Sequence, residues 1–233
     1  MIEKVICGFQ TGADIAGAEA ARLAGLATGG YMPGRFMTEA GPRPEYARLY
    51  GAVVIDLPGR NLAEQYKERT RLNVREADVT ILFGDPTSRG SLATYRAYRE
   101  IKEAATLGFP DPGISYCRPG WIQVPDHGPR SWPTAADAAA MLAAMPHRIV
   151  NIAGNRESAA PGIGEWVRTY LVEVFRLLRE IRDGAEDSGC PGTGTGWPPR
   201  SVIPTSRQWR RPSWTPMSAP AASWSTWTMT NKG

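Results

Sequence analysis

Cysteine and histidine are scarce in this 233-residue chain, with three of the first and two of the second. Cys7, Cys117 and Cys190 are odd in number and form no CxxC pair, so they give no disulfide framework. His127 and His147 stand in unrelated contexts, which leaves a zinc centre without its ligands; no metal site is expected. No run approaches about 18 apolar residues, so no transmembrane helix is expected. The segment after Met1 has no signal-peptide pattern, and a cytoplasmic location is expected. There is no GxxxxGK[ST] and no GxSxG, which excludes a Walker-type ATPase and a nucleophile elbow. The stretch from Gly192 to Gly196 looks like a dinucleotide fingerprint in isolation. It follows no strand, however, and Trp197, Pro198 and Pro199 close it off from any helix.

Positive charge is also scarcer than the net +4 implies. Residues 184–233 hold Arg200, Arg207, Arg210, Arg211 and Lys232 against Glu186 and Asp187. Residues 1–183 are therefore almost neutral, and their composition gives no basic surface for nucleic acid. The region from Gly184 is rich in Gly, Pro, Ser and Thr, shows no lasting period and reads as a disordered tail. Trp197, Trp209, Trp214, Trp224 and Trp227 lie there. The tail is either an extension without a role or an interaction segment using Trp with Arg210 and Arg211.

What is present is an alternation. Apolar strand-like runs at Val5–Phe9, Ala52–Leu57, Val79–Phe83, Gly113–Cys117 and Arg148–Ile152 alternate with helical patterns. Those patterns cover Asp14–Leu23, Ala63–Ala77, Leu92–Leu107, Ala135–Met145 and Glu165–Ile181. Strands apolar throughout predict an α/β domain over residues 1–183, an open and mainly parallel sheet with helices on both faces. The Gly- and Pro-rich stretch from Thr28 to Tyr50 reads as a long irregular connection.

Three strand-to-helix junctions share one chemistry, and ligands of open α/β sheets bind at such ends. The first offers Gly8, Gln10, Thr11 and Gly12, with Asp14 as a helix cap, a ribose or base ligand, or a general base. The second offers Ser88, Gly90 and Ser91, either a phosphate cradle or a Ser-capped helix. The third runs from Ile149 to Gly164. There Gly154, Asn155, Arg156 and Ser158 suit an anion, and Glu157 either positions water or a sugar hydroxyl or braces the loop. Arg69 and Asn73 share a helix face and are either further contacts or a solvated surface. Three such loops in one sheet predict a shared site for a phosphate-bearing small molecule.

Four ordered segments carry a resemblance. Gly8–Asp14 is similar to GGQTGVD, and Gly29–Arg35 with Glu39–Pro42 looks like GGWCPKGR…EDGP. Tyr66–Asp78 resembles YxxRTxxNVxxSD, and Asn151–Ile163 resembles NVAGPRESxxPGI. Over about residues 4–178 the chain thus resembles the molybdenum carrier family, a circularly permuted YpsA-like branch of the SLOG superfamily. Phe9 replaces the family's second Gly, and Asn155 replaces a Pro. The resemblance implies a Rossmann-like fold, a nucleotide-related ligand and, in an enzyme, phosphoribohydrolase-like cleavage of an N-glycosidic bond. Glu157 or Asp14 would then assist water or the ribosyl cation, and Arg156 with Ser88–Ser91 would hold phosphate. The non-enzymatic alternative is binding of molybdate or molybdenum cofactor. A homodimer is expected by analogy with SLOG sheets.

Overall fold

The computed structural model describes residues 2–102, 117–118, 120–125, 133–144 and 146–187. Three apolar runs lie side by side at the centre of a seven-stranded sheet: β1 (Lys4–Cys7), β9 (Ile149–Gly154) and β6 (Val79–Phe83). Beyond β1 come β2 (Ala27–Met32) and then β5 (Ala52–Val54); beyond β6 come β8 (Trp121–Val124) and β7 (Cys117–Arg118). All neighbours are parallel except β7 and β8, which run antiparallel. Helices α1 (Ala13–Leu23), α5 (Ala135–Ala143) and α6 (Ile163–Asp187) cover one face. Helices α3 (Leu62–Glu76) and α4 (Arg89–Ile101) cover the other. This is the Rossmann-like α/β architecture that the alternation and the resemblance imply. Among the described residues no helix is long and apolar enough to cross a membrane.

Every residue of β6 is buried, because helices lie on both sides of it; its run is therefore apolar without alternation. Helix α6 presents Ile163, Val167, Leu171, Val174 and Phe175 to the sheet at helical spacing, all buried. Each such side chain stabilises the fold by roughly 1.5–3 kcal/mol. Capping boxes start two helices: Asn61 with Glu64 at α3, and Thr134 with Asp137 at α5.

The stretch from Thr28 to Tyr50 is more regular than its composition predicts. It holds β2, a turn at Gly34–Phe36, a hairpin of β3 (Met37–Thr38) and β4 (Gly41–Pro42), and helix α2 (Glu45–Tyr50). β2 lies beside β1, although Gly29 and Gly30 are poor strand formers. Its backbone is pinned from outside: Asn73 Oδ1 accepts from Tyr31 N at 2.9 Å, and Asn73 Nδ2 donates to Tyr31 O at 3.3 Å. The expected buried strand Ala52–Leu57 is instead a short edge strand, with Val53 53% exposed. β8 is unanticipated; its four residues are buried beside β6. α4 begins three residues earlier than its apolar pattern predicts, at Arg89. The rest of the Leu92–Leu107 expectation, and residues 113–116 of the predicted strand, lie outside the described residues. Helix α6 continues through Gly184 to Asp187. The proposed tail beyond it also lies outside them.

The connections leave the sheet centre in opposite directions. The chain runs from β1 outward to β2 and β5, restarts at β6 toward β8, and returns last to β9. The C-terminal end of β9 therefore sits where the strand order reverses, the place at which open α/β sheets form a ligand crevice.

Asp78 secures the opposite end of β9. Its Oδ2 accepts from Arg148 N at 2.7 Å and Ile149 N at 2.8 Å, and Asp78 N donates to Ile149 O at 2.9 Å. Burial alone would raise this carboxyl, but the two N–H bonds outweigh it and hold it below its ordinary value. A depressed carboxylate stabilises the fold above the unfolded pKa, about 3.9, and that contribution fades as pH falls through the folded value. Asp78→Ala should cost about 1–2 kcal/mol at pH 7 in urea unfolding, a figure discounted for the exposure of the residue. The difference from the unsubstituted protein should shrink below about pH 4.

Candidate functional site

The loops after β1, β9 and β6 are stitched together at Asn155. Ala13 N donates to Asn155 O and Asn155 N donates to Phe83 O, both at 3.1 Å. Gly12, at φ 79°, allows this approach: a Cβ there would lie 2.6 Å from both Asn155 O and Glu157 N. Asn155 is 7% exposed, and its Oδ1 has no partner among the described residues. That oxygen lies against Gly84, at the end of β6.

Beneath the first loop is a buried ion pair. Arg69, from α3, contacts Asp14 Oδ2 at 3.2 Å, with side chains 14% and 5% exposed respectively. Asp14 caps no helix; α1 has Gly12 at its N-cap, and Asp14 Oδ2 also accepts from Gln10 N at 3.3 Å. Burial pushes the Asp14 carboxyl up, while Arg69 and the Gln10 N–H pull it down; the balance stays above the ordinary value. The guanidinium fills the space beside Gly8, where a Cβ would overlap its Nη1. Its Nε has no partner among the described residues. Cys7, next along β1, is buried, and burial pushes its thiol well up, so it offers no thiolate.

Tyr66, one helical turn before Arg69, joins three elements. Its hydroxyl accepts from Gln10 Nε2 at 2.9 Å and donates to Met37 O at 3.1 Å. The guanidinium carbons of Arg69 and Arg156 lie 5.8 and 5.6 Å from its ring centroid. The position stands in the motif around Arg69, but its type alone gives no sign of this role.

The third loop and Thr11 converge on a carboxylate that the junctions alone do not reveal, that of Glu39 at the tip of the β3–β4 hairpin. Thr11 Oγ1 donates to Glu39 Oε1 in a short contact. Ser158 Oγ donates to Oε2 at 2.6 Å, and Ser158 N to Oε1 at 3.4 Å. Arg156 Nη1 lies 3.9 Å from Oε2, and Glu39 N donates to Gln10 Oε1 at 3.1 Å. Burial would raise the Glu39 carboxyl, but the bonds from Ser158 and Thr11 outweigh it and set it below its ordinary value. The sequence signal for Glu39 is its place in the acidic Gly-Pro segment of the resemblance.

Other predicted residues sit differently. Glu157 braces the start of α6, with Oε1 accepting from Gly162 N at 2.5 Å and Oε2 from Gly164 N at 3.1 Å. Ser88 caps α4: its Oγ accepts from Ser91 N at 3.2 Å and donates to Ser91 Oγ at 2.8 Å, while Gly90 is exposed. Gly154 lies where a Cβ would strike Phe83 O and Ala13. Arg69 and Asn73 do share a face, but Asn73 is buried and Arg69 mostly covered against β1 and β2, so that face is not solvated. A cavity of about 350 Å³ beside Thr11 and Gly12 is lined also by Glu19, Glu157, Glu165 and Arg168. A larger one, about 640 Å³, runs along Arg35, Val54, Leu57, Arg60 and Gln65 and shares none of the Glu39 donors. Among the described residues no group of three His, Cys, Asp or Glu could hold a metal ion.

Removing Arg69 alone would leave Asp14 buried and unpaired. Arg69→Met should therefore destabilise the fold by about 3–5 kcal/mol at pH 7. A raised carboxyl favours folding below the unfolded pKa and loses that benefit as pH rises through the folded value. The penalty should thus shrink toward pH 4, and Asp14→Asn combined with Arg69→Met should recover part of it at pH 7. Denaturant midpoints across pH for the unsubstituted protein, Arg69→Met and the double variant measure both effects.

Residues 5–109 match the circularly permutated YpsA SLOG family. Among solved structures, the chain is similar to a protein from Syntrophus aciditrophicus SB described as a putative molybdenum carrier. The identity is 25% and the TM-score 0.54, with 75% of this chain and 94% of that one covered. Among curated proteins there is no match.

Proposed function

We propose that this chain, whose residues 5–109 carry the pattern of the circularly permutated YpsA SLOG family, binds a phosphate-bearing, nucleotide-related small molecule. The site lies where the loops after β1 and β9 meet. One observation carries the reading: Thr11, Arg156 and Ser158 converge on a single negatively charged group, the Glu39 carboxylate. Hydroxyl, backbone N–H and guanidinium donors in this arrangement suit a phosphoryl group equally well. The adjoining 350 Å³ cavity is of ligand size, and its Glu19 and Glu165 carboxylates suit sugar hydroxyls. Binding is favoured over hydrolysis because Glu157 is engaged with the α6 N–H groups and Asp14 with Arg69.

A second reading has support in the Syntrophus aciditrophicus protein described as a putative molybdenum carrier: molybdate is a tetrahedral oxyanion and would use the same donors. Thermal unfolding with nucleoside monophosphates, inorganic phosphate, molybdate and tungstate separates the two, because a ligand of the native state raises the melting temperature. A nucleotide should shift it more than phosphate does, and Arg156→Ala should weaken nucleotide binding about tenfold, or roughly 1.4 kcal/mol. A shift with molybdate and none with nucleotides would transfer the site to the second reading. Release of free base from nucleoside monophosphates, lost in Glu157→Gln, would instead make the protein a hydrolase.

A further inference from the structure

Building on the anion site proposed above, we infer that Glu39 is an internal competitor for it, and that the β3–β4 hairpin swings away when an oxyanion binds. The Glu39 carboxylate accepts the Thr11 hydroxyl and the Ser158 hydroxyl and N–H, with the Arg156 guanidinium 3.9 Å away. Two negative groups cannot share those donors at van der Waals distance without strong repulsion, so a phosphoryl or molybdate group enters only as Glu39 leaves.

The hairpin is a separate small unit, and its departure also breaks the Tyr66 bond to Met37 O and the Glu39 N bond to Gln10 Oε1. β3 and β4 pair only with each other and do not join the main sheet. The turn is closed internally: Thr38 Oγ1 donates to Gly41 O at 2.7 Å and accepts from Ala40 N at 3.2 Å. Just before it, Arg35 and Phe36 both have left-handed backbone, at φ 59° and 53°. Non-glycine residues in that region cost about 1–3 kcal/mol each and often mark switch segments. The Glu39 side chain keeps 20% of its surface exposed, so its way out is open to solvent. Glu39 is thus a tethered anion whose effective concentration sets the affinity for free ones.

The test uses the full chain, with Glu39→Gln and Glu39→Ala, and with inorganic phosphate and molybdate as probes. By calorimetry, Glu39→Gln should bind the better of the two probes at least tenfold more tightly than the unsubstituted protein, and adding Arg156→Ala should cancel the gain. Without ligand, Glu39→Ala should melt lower than the unsubstituted protein, and the probe should restore it by a larger shift than it gives that protein. Should Glu39→Ala not fold, the Glu39→Gln titration decides alone. Equal, measurable affinity in the unsubstituted protein and Glu39→Gln would overturn the competition while leaving the anion site standing. Absence of binding in every variant would overturn both.

Discussion

Asp14 lies under the end of β1 and pairs with Arg69 of α3. Neither charge is cheap to bury, and each is tolerable only while the other is there. The geometry around them follows from that need. Gly8 is bare because the guanidinium lies on its Cα, and α3 must approach β1 closely enough for Arg69 to reach. Tyr66 then falls one turn away, beneath Arg69 and Arg156, with its hydroxyl between Gln10 and Met37. The ion pair therefore fixes the floor on which the hairpin and the β9–α6 loop are assembled.

Much of the fold is legible in the sequence because burial on both faces leaves an unmistakable apolar run, as in Val79–Phe83. The failures have physical causes. β2 is a strand made by its neighbours: Gly29 and Gly30 have little strand preference, and Asn73 supplies pairing from another element. Ala52–Val54 reads as interior because its composition is apolar, yet it is an edge. At the site, Arg156 and Ser158 are recognisable as anion donors from type and position. Glu39 is not, because its role depends on a hairpin folding back over more than a hundred residues of sequence. Glu157 and Ser88 show the reverse limit, since side chains suited to ligands are equally suited to helix starts.

Phe9 shows how a departure from the family pattern is accommodated. The position has φ 55°, a conformation natural to the Gly of the motif and strained for Phe. The ring is fully buried and contacts Tyr46 and Tyr50 at centroid distances of 5.9 and 6.0 Å. Burying a ring of that size offsets the backbone strain and gives α2 an anchor.

The position of β9 also bears on how the protein comes together. Its residues, 149–154, are the last strand in sequence and the middle one in space, between β1 and β6. A chain emerging from the ribosome can pair β1 with β2 and β6 with β8 early, but these two halves have no shared edge until β9 arrives. Such long-range parallel pairing is slow, and until it happens two open strand edges face solvent. The proposed anion site lies at the end of that same strand. The site therefore cannot form in a partly folded chain, and a bound anion would hold the last-closing seam of the sheet shut.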